Sequence, residues 1–378
     1  AAQGASATNA DYIAVWGSQV YVSGSSPSPA EPYHTWANAA HSLSDAVSGA
    51  PAGATIVVSN GTYNITDEIV VDKAITVISY GNGVYGGLDN AALTIVDGPQ
   101  NAGYSGPRIF SVTHADAVLD GLTITDGYGR LQIPAGGLGV YMTDGLLRNC
   151  IIKENGALDG NTDHADGGGV YMTGGVVSNC TIQANQIGYG NTTGAGIYAT
   201  GGMITHCRLL DNETRGSGGG GGIYASGASV VIRNCLVARN TATAASGGGL
   251  YLNSGSVESC TIVTNSAASG AGGVYRNSGT VNNSIVYFNT VGGVLDDLNT
   301  TVGLTYTCAS DGNTTDDNIT GDPLFVNVAG GDYRLVRESP CRDAGDNSVI
   351  TWGTDLDEGT RIRDGVVDMG AFEWTVYP

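Results

Sequence analysis

The stretch from Gly156 to Asp166, GALDGNTDHAD, gathers the side chains best suited to chemistry: Asp159, Asp163, His164 and Asp166, with Lys153 just upstream and Arg130 and Arg215 within reach in a repeating fold. Carboxyls, an imidazole and cations around one cleft supply what general acid and base work on a glycosidic bond requires. Asp163, His164, Asp166, Lys153 and Arg130 are therefore the candidate catalytic residues. The carboxylates of Asp159, Asp163 and Asp166 are also hard oxygen donors of the kind that hold Ca²⁺, the one cofactor the composition leaves open. The competing reading is plain, since Asp, Asn and Gly in a loop are foremost turn formers.

Six tyrosines frame this stretch: Tyr141, Tyr171, Tyr198, Tyr224, Tyr251 and Tyr275, separated by 30, 27, 26, 27 and 24 residues. Each opens a copy of one repeat. Behind them run Cys150, Cys180, Cys207, Cys235 and Cys260, with Ser284 in the sixth place, and then Asn155, Asn185, Asn212, Asn240, Asn265 and Asn289. A period in the twenties announces a solenoid. Each copy holds short runs of period-2 alternation split by Gly, Ser or Asn, with no 3.6-residue period, so the elements are strands. Three short strands and three turns fill such a copy, which makes one coil of a right-handed parallel β-helix.

Alternation then assigns faces. Val140, Val170, Ile197, Ile223, Leu250 and Val274 point inward and the tyrosines outward. Cys150 and Ile152 point inward, Ile151 and Lys153 outward. The asparagines fall where the strand turns, where stacked amides can bond one another and the turn backbone. Outward phenols at coil spacing would form a strip able to stack on sugar rings. Tyr141, Tyr171, Tyr198, Tyr224 and Tyr251 are the candidate substrate-binding residues, and the competing reading is a mere covering of one sheet.

The chain has 378 residues, 60 of them glycine, and a net charge of −20. That balance makes nucleic acid and anionic membranes poor partners. No run of 18 apolar residues is present, so no membrane-spanning helix is expected. Five of the seven cysteines lie on the ladder, where neighbouring Cβ atoms would be about 4.8 Å apart, longer than the roughly 3.8 Å a disulfide prefers. They read as buried thiols. Cys308 and Cys341 lie outside the repeats and could bridge.

Taken in order, residues 1–53 form an N-terminal segment with a short amphipathic helix over Thr35 to Val47, capped by Thr35 and stopped at Pro51, which closes the open end of the core. Residues 54–290 form the coils, about nine at about 27 residues each, a rod on the order of 40 Å long. Residues 291–378 are irregular and form C-terminal coils and cap. Asp355, Asp357 and Glu358 there read as a charged turn, their spacing being wrong for an EF-hand loop.

The combination of Ala54 to Tyr63, the GGG-x-Y and N-C-T-I repeats, and the ending DPLF (from Asp322), SPC-x-DAG (from Ser339) and TDLD…VDMGAFE (from Thr354) resembles bacterial pectin-lyase-like β-helix proteins of the choice-of-anchor Q type. The repeats also resemble those of polymorphic outer-membrane proteins. At Asp357-Glu358-Gly359-Thr360 the sequence departs from the family's D-G-x-P. Asn161-Thr162-Asp163 is similar to the first motif of polygalacturonase-like hydrolases, but the later motifs are missing and that assignment fails. The resemblance implies a secreted or cell-surface β-helix without fixing one activity. The start Ala-Ala-Gln suits a mature secreted chain. The expectation is an extracellular monomer that engages polysaccharide or a surface glycan, either cleaving it as a lyase or glycoside hydrolase or serving as a non-catalytic adhesin or structural surface protein.

Overall fold

A computed structural model describes residues 18–99, 106–128, 136–157, 165–188 and 190–376. Strands as short as two residues stack into long sheets of 12, 10, 8 and 7 strands. Almost every pairing joins a strand to its equivalent one coil further on, in parallel. Val140-Tyr141-Met142 pairs with Val170-Tyr171-Met172, which pairs with Ile197-Tyr198-Ala199. This is the parallel β-helix expected from the repeat. Its narrowest long sheet has seven strands, so fewer turns than the expected nine go fully round, because the chain enters and leaves through coils that lack a strand on one or more faces.

The faces fall as alternation predicts. Val140, Val170, Ile197, Ile223, Leu250 and Val274 are fully buried, while the tyrosines between the inward positions of the eight-stranded sheet are half-buried. The ladder cysteines lie in the main core among Ile152, Ile182 and Leu209. They are thiols, and each S–H donates to a carbonyl two residues back, as Cys150 does to Arg148 at 3.1 Å and Cys235 to Arg233 at 3.0 Å. The preceding residue adopts a left-handed backbone, φ 53° at Asn149 and 49° at Asn179. Asparagine tolerates that region better than most residues, which accounts for the Asn-Cys pair.

The second asparagine row is a continuous buried ladder. Asn212 donates through its backbone N–H and its amide to Asn240 Oδ1 at 3.0 and 2.9 Å, and its remaining amide hydrogen goes to Ile182 O. The same pattern runs from Asn155 to Asn289. It ends on Asp297, a buried carboxylate that accepts both donors of Asn289 through Oδ1 and the Ser310 hydroxyl through Oδ2. A terminal acceptor without donors is what the last rung needs.

Two elements differ from expectation. The single helix over Thr35 to Val47 is two pieces: a 3₁₀ turn, Trp36–Asn38, capped by Thr35, and an α-helix, Leu43–Gly49, capped by Ser42. They are separated because Ala40 is drawn into the first sheet, donating to Tyr21 O and accepting from Ser23 N. Leu43, Ala46 and Val47 enter the core, whereas Trp36 stays 38% exposed and packs against Tyr21 and Tyr80. The C-terminal chain, for its part, runs along the side of the solenoid. Tyr333, Leu356, Ala371 and Phe372 pack on Leu236, Ala238 and Val263, and Leu335, Cys341 and Met369 pack on Ile285, Tyr287 and Cys308. The Asp355 turn is indeed a charged turn: its carboxylate accepts from the backbone N–H groups of Asp357, Gly359 and Glu373. Fully buried Arg361 pairs with Glu373 at 3.2 Å and donates to the carbonyls of Asp368 and Gly370.

Candidate functional site

The ten-stranded sheet carries an outward column that changes character along the rod. Strand pairing sets Asn64, Asp97, Thr125, Lys153 and Gln183 in one row, followed by Leu210, Ala238, Val263 and Tyr287. The apolar half lies under the C-terminal chain, and in the polar half Asp97 and Lys153 are half-buried around a buried Thr125. Arg208, in the neighbouring outward row, marks the border through a 3.0 Å pair with Asp357 of that chain. One face of the solenoid is thus a polar floor that ends in a wall built by the protein's own C-terminal segment.

On that floor Asp97, Asp126 and Lys153 come together. Asp97 and Lys153 flank Thr125 on adjacent strands. Asp126 follows Thr125 in a left-handed backbone, φ 56°, and its carboxyl reaches that of Asp97. Burial, reinforced by the charge and hydrogen bond of Asp126 and opposed by Lys153, pushes the Asp97 carboxyl up to about 6. Asp97 Oδ1 is buried without a hydrogen-bond partner among the described residues. Lys153 Nζ lies 3.1 Å from Glu154 Oε2. The two carboxyls are in contact, and the charge of Asp126 makes Asp97 costlier to ionise. They are too close for the catalytic pair of a glycosidase, which stands roughly 5 to 9.5 Å apart according to outcome.

The tyrosine row has a geometry of its own. Successive rings are stacked, with centroids 5.6, 4.8, 5.4, 4.8 and 4.8 Å apart from Tyr141 to Tyr275, and Arg108, paired with Glu68, lies 4.7 Å over Tyr141. The ring faces are therefore covered by one another. What the row shows to solvent is its edge, a line of phenol hydroxyls at coil spacing. Of these, Tyr251 accepts from Asn277, and the hydroxyls of Tyr171, Tyr198 and Tyr224 make no hydrogen bond to described residues.

A family model for the right-handed β-helix region matches residues 100–320. The chain belongs to the right-handed β-helix family. In three dimensions this β-helix is similar to the crystal structure of pectate lyase Pel9A, with a TM-score of 0.57 and 14% identity, over 96% of this chain and 97% of that one. At that identity the likeness establishes the fold. No curated protein matches the sequence.

The residues singled out in the sequence distribute unevenly over this β-helix. Lys153 joins the floor. Asp166 stands instead at the entry to the eight-stranded sheet, where its carboxylate accepts from the N–H and hydroxyl of Thr193 at 2.8 and 2.6 Å and so ties one coil to the next. Arg215 is paired with Glu213. Asp159, Asp163, His164 and Arg130 lie outside the described residues. Among the described residues no cluster of three or more His, Cys, Asp or Glu is arranged to hold a metal. Sequence reading missed Asp97 and Asp126. Their signal was register: counting one coil back from Lys153 reaches Thr125, and another reaches Asp97. A cavity of about 460 Å³ beside the N-terminal helix, lined by Glu68, Asp72 and Lys73, is separate. Lys73 there donates to the helix-end carbonyls of Ser48 and Ala50.

Proposed function

We propose that this β-helix is a secreted or cell-surface protein that engages polysaccharide on the polar half of its ten-stranded face. The observation that carries the reading is the raised Asp97 carboxyl, in contact with Asp126 and beside Lys153, on a polar floor closed at one end by the C-terminal chain. A perturbed group beside a specific charge partner marks a candidate site. The tyrosine edge, parallel to the rod axis, offers a second line of hydroxyls to an extended glycan.

Cleavage is the second reading, and the same pair favours elimination over hydrolysis. Hydrolysis needs two separated carboxyls. Elimination needs one group to remove or return a proton near neutral pH and a cation to face a uronate carboxylate, roles that Asp97 and Lys153 fit. A net charge of −20 works against a polyanionic substrate, which makes Lys153 the local exception that would matter.

A panel of neutral and uronate polysaccharides, scored in parallel for binding, for new reducing ends and for the absorbance of unsaturated uronates, separates these outcomes. Binding without products supports a binding protein or adhesin. Unsaturated products support elimination, and reducing ends without absorbance support hydrolysis. D97N and K153M should reduce binding or turnover at least tenfold. Neither binding nor products across the panel would overturn the proposal.

A further inference from the structure

Two populations of cysteine exist in this protein, and they differ in what surrounds them. The five ladder thiols belong to the main core inside the coils. Cys308 and Cys341 belong to a separate cluster, with Ile285, Tyr287, Leu335 and Met369, at the seam between the outer face of the ten-stranded sheet and the C-terminal chain. Cys308 occupies the strand Cys308–Ala309, paired with Ile285, and Cys341 lies in the turn that follows Ser339, where its carbonyl accepts from Met369 N at 2.9 Å. Both are fully buried thiols within that one cluster, and the Cys308 S–H donates to the carbonyl of Gly321 at 3.3 Å.

We infer that Cys308 and Cys341 are the site of a disulfide that fastens the C-terminal chain to the last coil, and so fixes the wall at the end of the polar floor. The selectivity follows from backbone freedom. Ladder cysteines sit at matched register on adjacent parallel strands, so closing a bond between two of them means compressing a sheet whose strands are held about 4.8 Å apart, while a disulfide prefers Cβ atoms roughly 3.8 Å apart. Cys341 is on an irregular turn and can approach Cys308 without moving a strand.

The chemistry is ordinary thiol–disulfide exchange. A thiolate of the pair attacks a low-molecular-weight disulfide such as oxidised glutathione. The partner thiolate then displaces glutathione from the mixed disulfide. One Cys308 Sγ–Cys341 Sγ bond forms, the glutathione S–S bond breaks, and the two protons and two electrons of the protein thiols reside in two molecules of reduced glutathione. Burial means that exchange proceeds during folding or when the C-terminal chain lifts.

The test uses the full chain refolded or equilibrated in a glutathione buffer, then denatured, alkylated and mapped by mass spectrometry. Of the seven cysteines, the oxidised protein should leave Cys150, Cys180, Cys207, Cys235 and Cys260 alkylated and yield one crosslinked peptide pair containing Cys308 and Cys341. Oxidation should also raise the melting temperature by roughly 5 °C and slow proteolysis between 320 and 376, and C341S should show neither effect. Because the mapping is done on the unaltered protein, it stands even where C341S folds poorly. Full alkylation of all seven under oxidising conditions, or a crosslink that joins ladder cysteines, would overturn the inference.

Discussion

Asp97 shows how one side chain can carry a functional signal without a motif. Its folded-state value of about 6 lies above its ordinary 3.8, so the folded protein holds that proton more tightly than the unfolded chain does. The contribution to stability is therefore full below about 3.8 and is lost as pH rises through about 6. In D97N this loss should be absent. Urea midpoints across that range should thus show D97N gaining on the natural protein as pH rises and running level with its new offset above the range. A constant difference at every pH would mean that Asp97 titrates normally. The asparagine ladder was legible at this scale because six copies repeat it. Asp297, its terminator, was not, since it occurs once and pairs with Asn289 across an irregular loop.

The tyrosine strand displays the limits of pattern reading at the scale of the element. Period-2 alternation placed the rings outward correctly, but it carries no information on ring torsion, and in-register parallel stacking turned an expected flat platform into a column with covered faces. Tyr198, stacked on both neighbours, separates the two contributions. Tyr198→Phe keeps the stack and should leave stability within about 0.5 kcal/mol. Tyr198→Ala removes two ring pairs and should cost about 2 kcal/mol or more. If the row engages glycan through its hydroxyls, Tyr198→Phe also weakens binding severalfold, and unchanged binding would assign the row to structure alone. The N-terminal helix was half legible for a related reason: its 3.6 period spans Trp36 to Val47, yet a sheet contact at Ala40 overrides it.

Across the whole molecule, the solenoid was readable because each coil repeats the same inward residues, and the C-terminal chain was not because its partners are distant in sequence. The shift of the outward column from Asp97, Thr125, Lys153 and Gln183 to Leu210, Ala238, Val263 and Tyr287 is present in the sequence, but it has meaning only once the register is known. That shift divides one face into an apolar half covered by the C-terminal chain and a polar half, and the polar half is the proposed place of the ligand. The chain has only two lysines, Lys153 on that floor and Lys73 beside the N-terminal helix. Amine acetylation rates, measured by mass spectrometry with and without a bound polysaccharide, therefore read the claim directly. Bound polysaccharide is expected to slow modification of Lys153 severalfold and to leave Lys73 unchanged. Lys153 modified at the same rate in the complex, or protection at Lys73 alone, would contradict it.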